Sequence, residues 1–159
     1  MHTTRNTLPL AIREASVAVL NRHLAAAIDL HAQIKQAHWN VVGPGFIAVH
    51  ELFDAIAGLV EDQSDLIAER ARTLGGTAQG TIQVASTHSF LVPYPLGVAD
   101  TKEHLFAVAG ALAAFEQSVR EAIDATAAGG DAETSDIFTE VGRAIAKQLW
   151  FVEAHLGAG

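Results

Sequence analysis

Cysteine is absent from this 159-residue chain. That excludes a disulfide framework and any thiolate metal site. It also removes the side chain that oxidants attack first. A cytosolic protein is expected on this ground, one suited to meeting oxidants. Lysine is almost as scarce, with only Lys35, Lys102 and Lys147. The formal net charge is −8, so the surface repels phosphate backbones unless its few cations cluster. No run of eighteen apolar residues lacks a charge, so no transmembrane helix is expected. The opening MHTTRNTLPL has no basic region leading into a long apolar one, so no signal peptide is expected. Proline occurs only four times, which with frequent alanine favours helix. What the chain has is apolar mass: 50% of its residues are hydrophobic, enough for one packed domain over residues 1–159.

Hydrophobic periodicity separates four long helical segments. The first runs from about Leu10 to His38, with Pro9 near its first turn and an apolar stripe through Ile12, Val19, Ala26 and Ile34. The second runs from about Phe46 to Leu74, where Gly75-Gly76 stops it. The third begins near Asp100, which forms a capping-box pattern with Glu103, and ends at Gly129-Gly130. The fourth covers about Glu133 to Leu156. Between the second and third, residues 77–99 hold TIQVAST, a short extra helix, then the proline-bearing FLVPYPLG. The expected class is all-α: a ferritin-like four-helix bundle with one long crossover.

The second helix concentrates acids and a histidine: His50, Glu51, Asp54, Glu61, Asp62, Asp65 and Glu69. At 100° per residue, with His50 at zero, Asp54 lies at about 40°, Asp65 at about 60° and Glu69 at about 100°. These four share one stripe, about the width of a buried helix face. Glu61 also falls inside it, so angle alone does not exclude Glu61. Asp54 and Asp65 are about 16 Å apart along the axis, too far to grip one ion. Yet the four positions are symmetric about one point, because 50 and 69 have the same midpoint as 54 and 65. A two-fold axis near Gly58 and Leu59 would bring His50 and Asp54 of one copy beside Asp65 and Glu69 of its mate. Isologous pairing of this kind is the commonest oligomeric contact. His38 lies just across the Gly-Pro-Gly break and joins the set.

Bland roles compete with this reading. His50 and Asp54 at i, i+4 can hydrogen-bond on a wet face, and Asp65 and Glu69 can pair with Arg70 or Arg72. Two imidazoles and three carboxylates suit iron, manganese or zinc and argue against calcium.

KQAHWN (35–40), FIAVHELFD (46–54), DLIAERARTLGG (65–76), TSDIF (134–138) and LWFVEAH (149–155) closely resemble the Dps family, DNA-binding proteins from starved cells or mini-ferritins. The resemblance covers the whole chain in order. It implies a hollow dodecamer of two-fold dimers. It also implies a ferroxidase that oxidises Fe(II), preferably with hydrogen peroxide, and stores the Fe(III) mineral in a cytoplasmic or nucleoid-associated cage. The implied ligands of two irons per site, where zinc or another divalent ion can substitute, are His38, His50 and Asp54 from one subunit and Asp65 and Glu69 from the other. Trp39 is implied as an electron donor or radical quencher, with plain core packing the equal alternative. Trp150 is expected to be structural. Asp131 and Asp136 are implied as acids lining a three-fold iron-entry pore, with helix capping the equal alternative for both.

The sequence departs from DNA-condensing members of the family. Arg5 is the one cation in the first twelve residues, and the terminal EAHLGAG has none. Direct DNA binding at neutral pH is therefore expected to be weak or absent. His2, His23 and the other histidines are expected to add positive charge in acid. A bundle-type di-iron oxygenase would need paired Glu-x-x-His motifs within one chain, and none occurs.

Overall fold

The computed structural model describes residues 1–157. Its elements are α1 (Leu10–Asn40), α2 (Phe46–Thr73), α3 (Ile82–His88), α4 (Thr101–Ala128) and α5 (Ala132–Leu156). Among the described residues there is no strand.

Local chemistry sets the helix ends. Pro9 occupies the N-cap of α1, and its carbonyl accepts from the N–H groups of Ile12 and Arg13, each at 3.1 Å. The helix runs two residues past the expected His38, so Trp39 and Asn40 are helical. Helix α2 ends one residue early, with Leu74 as cap and Gly75 left-handed at φ 87°. The Gly76 N–H then returns to the Ala71 carbonyl at 2.9 Å. Gly76 is required for a second reason, since a Cβ there would sit 2.6 Å from the Val17 methyls. Asp100 and Glu103 form the reciprocal capping box expected from their spacing.

The packing pairs α1 with α2 and α4 with α5, while α1 also touches α4 and α2 also touches α5. Two hydrogen bonds fix the directions. Thr101 Oγ1 donates to the Val42 carbonyl at 2.6 Å, which sets the start of α4 beside the α1–α2 turn. Arg70 Nε donates to Thr134 Oγ1 at 2.9 Å, which sets the end of α2 beside the start of α5. Helices α2 and α4 therefore run parallel, and residues 74–100 must travel the bundle's length, about 40 Å for a 28-residue helix. Helix α3 lies on that path and packs on α1. Ser89 Oγ donates to Asp29, and Gln33 Nε2 donates to the Val92 carbonyl at 3.1 Å, which ties the crossover down.

One continuous apolar core holds the four long helices together. Leu20, Leu30 and Ile34 come from α1, Phe53, Ile56 and Ile67 from α2, Leu112 and Phe115 from α4, and Phe138 and Ile145 from α5. All ten are fully buried. Burying one such side chain stabilises the fold by about 1.5–3 kcal/mol.

Candidate metal centre

His38 sits in the last turn of α1 and His50 near the start of α2, so the α1–α2 hairpin brings them together. They hold one another through the backbone. His38 Nδ1 donates to the His50 carbonyl at 2.8 Å, and His50 Nδ1 donates to the His38 carbonyl at 2.9 Å. A carbonyl only accepts, so Nδ1 carries a proton in both rings, and in the neutral imidazole the lone pair is on Nε2. The rings stack with centroids 3.7 Å apart. This is the outer-shell arrangement that orients imidazole for a metal.

Asp54 completes the corner. Its Oδ1 lies 3.8 Å from His38 Nε2 and accepts from Lys35 Nζ at 2.6 Å. That hydrogen bond, followed by the charge of the same lysine, holds the Asp54 carboxyl below its usual range, with smaller help from His38 and His50. The i, i+4 bond from His50 to Asp54 does not form. Lys35 was missed in the sequence, although it precedes His38 by three residues and so shares its helix face.

Asp65 and Glu69 are exposed further along α2, and Glu61 is exposed on the same face. Among the described residues neither Asp65 nor Glu69 has a cationic partner. Arg70 turns instead to Asp131 at 2.8 Å and Glu133 at 2.7 Å. The buried face of α2 carries Val49, Phe53, Ile56, Ala57, Val60, Gln63, Ile67 and Ala71. It lies about 130° round the helix from the centre of the acidic stripe. The stripe is therefore not the face that packs into the bundle; it faces outward. Gly58 is exposed there too, and a Cβ at that position would meet nothing within 4 Å in its own chain.

Within one chain, among the described residues, no three His, Asp or Glu side chains are placed to hold an ion together. The chain instead carries two partial sets on one outer surface: a two-imidazole, one-carboxylate corner and a pair of unpartnered carboxylates. The bundle interior offers no substitute, since its buried acids among the described residues are Glu116 and Asp131.

The remaining expectations divide. Asp131 is 1% exposed and caps α5. It accepts from the Thr134 N–H at 3.1 Å, from Thr134 Oγ1 at 2.6 Å and from Arg70, so its oxygens are engaged as in the capping alternative. Asp136 is exposed on α5. Trp39 does not pack the core: it is 68% exposed, with Lys35 Nζ 5.8 Å from its ring centroid. Trp150, expected to be structural, is 62% exposed. His23, expected as a cation in acid, is 2% exposed instead. It donates through Nδ1 to the Val19 carbonyl and packs edge-on against Phe138, and burial pushes its pKa down.

A family model described as a ferritin-like domain matches residues 17–159. The chain is 43% identical over 155 residues to the DNA protection during starvation protein of Agrobacterium fabrum, covering 98% of this chain and 96% of that one. The chain belongs to the Dps family. A second member, from Mycolicibacterium smegmatis, is 33% identical, with 96% of this chain and 85% of that one covered. Among solved Dps structures, the tetragonal form from Mycobacterium smegmatis has a TM-score of 0.93 at 30% identity, covering 100% and 96% of the two chains. DpsA14 from Streptomyces coelicolor has a TM-score of 0.87 at 37% identity, covering 93% and 88%. The bundle with its long crossover is thus the ferritin-like fold of Dps proteins, and Dps membership is consistent with iron storage and protection. No helix among the described residues of this Dps chain is long and apolar enough to cross a membrane.

Proposed function

We propose that this Dps-family chain is a cytoplasmic ferroxidase and iron-storage protein whose catalytic centres form only between two copies. One copy contributes His38, His50 and Asp54; the other contributes Asp65 and Glu69. The observation that carries this reading is the complementarity of the two partial sets. The corner offers two imidazoles whose Nδ1–H groups are held by backbone carbonyls, and the opposite set offers two carboxylates that pair with no cation among the described residues. Their positions on α2 are symmetric about Leu59 and Val60, so a two-fold axis there unites them. The exposed Gly58 leaves room for a partner helix to approach.

Iron is the substrate. The carboxylate pair and one imidazole bind the first Fe(II), and the second binds through Asp54 and the remaining imidazole once Lys35 yields its place. Hydrogen peroxide takes one electron from each iron, so its O–O bond breaks with two protons taken up to give two Fe(III) and two waters. Two electrons delivered together avoid the one-electron step that releases hydroxyl radical. Five protein donors for two ions leave positions open for the oxidant. Asp136, exposed on α5, supplies negative charge at a three-fold iron entry; Asp131 is not carried forward in that role.

Protection of DNA follows chemically, by removal of iron and peroxide. The N-terminal arm has one cation, Arg5, and is fastened down: the His2 N–H donates to the Gly75 carbonyl and His2 Nε2 contacts Thr77 Oγ1 at 3.2 Å. Twelve copies would carry roughly a hundred negative charges. A gel-shift assay at low salt and neutral pH is expected to show no retardation of duplex DNA; a retarded band contradicts this part of the proposal.

Loading with Fe(II) and peroxide, followed by size exclusion and electron microscopy, tests the cage. The expected product is an iron-cored shell of twelve subunits. A monomer, or a dimer without iron, contradicts it.

A further inference from the structure

The chain has a single tyrosine, Tyr94, in the crossover just before α4. Its hydroxyl meets His104 Nδ1 at 2.5 Å. His104 lies in the first turn of α4 and is 1% exposed. The two rings lie nearly parallel, 19° apart in plane. The imidazole Nε2 is buried without a hydrogen-bond partner, and the backbone of Asn40 lies near the ring. That environment decides the tautomer. An N–H is favoured toward a carbonyl and a lone pair is not, so Nε2 carries the hydrogen. Nδ1 is then the acceptor, and the Tyr94 O–H is the donor.

Nothing in the ferroxidase chemistry uses this pair. Packing alone does not demand it, since a phenylalanine facing a leucine would fill the space without an orphaned polar atom. What it provides is a half-buried phenol held against a fully buried base. Burial pushes the Tyr94 pKa up to about 12, so the phenol holds its proton until an electron leaves. Burial also pushes the His104 pKa down, so the imidazole is neutral and free to accept.

We propose that Tyr94 and His104 form a proton-coupled oxidation site, at which Tyr94 gives up an electron to a strong one-electron oxidant and its proton to His104 Nδ1. The oxidant class is hydroxyl radical, formed whenever peroxide takes a single electron from Fe(II). The step balances. The phenol loses one electron and its O–H bond, and the proton forms a new N–H bond on His104. The hydroxyl radical gains the electron and leaves as hydroxide. A later Fe(II) returns an electron, and the proton goes back from His104 to the phenoxyl oxygen. The site turns a damaging radical into hydroxide at the cost of one more oxidised iron. This rests on the reading of iron and peroxide as the protein's substrates, but the test below uses neither.

The test uses the whole iron-free protein and an oxidant generated by light, tris(bipyridine)ruthenium with persulfate. Because Tyr94 is the only tyrosine, any neutral tyrosyl signal in absorbance or electron paramagnetic resonance belongs to it. The unmodified protein is expected to give that signal at a rate that does not follow buffer concentration. Electron–nuclear double resonance is expected to find one exchangeable proton hydrogen-bonded to the phenoxyl oxygen. His104→Leu is expected to slow radical formation by about a hundredfold and make it depend on buffer base, the range expected when a positioned base is lost. A radical confined to Trp39 or Trp150 would overturn the proposal. So would a tyrosyl radical lacking the bonded proton, which the unmodified protein reports even if the variant fails to fold.

Discussion

Peroxide-driven iron oxidation is expected to fall by about a hundredfold when His50 is replaced by alanine, at least the cost of losing an outer-shell partner in other metal sites. The substitution removes one nitrogen donor. It also frees the His38 carbonyl from the His50 Nδ1–H, so the donor that remains loses its stacking neighbour. Asp65→Ala is expected to do as much from the other end of α2, because it removes half of an exposed carboxylate pair. Asp65→Asn, which keeps shape and loses charge, is expected to resemble Asp65→Ala. Neither residue is part of the buried core, so both variants should fold and melt as the unmodified protein does. His155→Ala, an exposed histidine near the end of α5, is expected to leave the rate unchanged. Initial rates of Fe(III) formation after mixing with peroxide check all four. Unaltered rates for His50→Ala or Asp65→Ala would refute the ligand assignment.

The largest stability effect is expected at Arg70. Its guanidinium is, among the described residues, the only cation on the buried Asp131 carboxylate, through Nη2 at 2.8 Å, and it also reaches Thr134 Oγ1 and Glu133. Arg70→Met keeps the aliphatic stem and removes the charge, leaving a carboxylate that is 1% exposed without its partner. Breaking one side of a buried pair costs about 3–5 kcal/mol. For a chain of this size that is a fall in Tm of about 6–20 °C at matched protein concentration. Asp131→Asn added to Arg70→Met should recover part of the loss, since the unpaired charge goes. The pH dependence has a definite sign. Burial alone would raise the Asp131 pKa, but hydrogen bonds from Thr134 and Ser16 and the charge of Arg70 outweigh it and hold the value below normal. A depressed carboxyl stabilises the fold above its unfolded pKa, about 3.9, and the contribution disappears as pH falls through the folded value. Without Arg70 the folded pKa rises, so the acid limb of the stability curve should move to higher pH. Thermal melts of the single and double variants from pH 3 to 7 check this, and coincident curves would contradict it.

Local rules made most of the fold legible. Asp100 with Glu103, Gly75 with Gly76 and the apolar spacing each act within a few residues, and so they marked the helices and their ends. Which way a stripe faces is a different matter. Angles along α2 place His50, Asp54, Asp65 and Glu69 relative to one another, but only the packing of Phe53, Ile56 and Ile67 shows that the stripe looks outward. The same limit explains His23, which is buried, and Trp39 and Trp150, which are exposed. Each sits in a long helix whose neighbours lie far away in sequence. Asp131 was ambiguous because a cap and a pore acid require the same residue type at a helix start; the contact with Arg70, 61 positions away, separates them.

The idea that neither copy owns a whole centre has a direct test in mixed assemblies. His50→Ala and Asp65→Ala chains, differently tagged and produced together, should pair at random. In a mixed dimer one centre carries both lesions, while the other combines an intact His50 with an intact Asp65. Mixed shells should therefore recover about a quarter of the unmodified rate, because half the dimers are mixed and each holds one working centre. If His50 and Asp65 served one centre within the same chain, every centre would stay damaged, and mixed shells would be no faster than either parent.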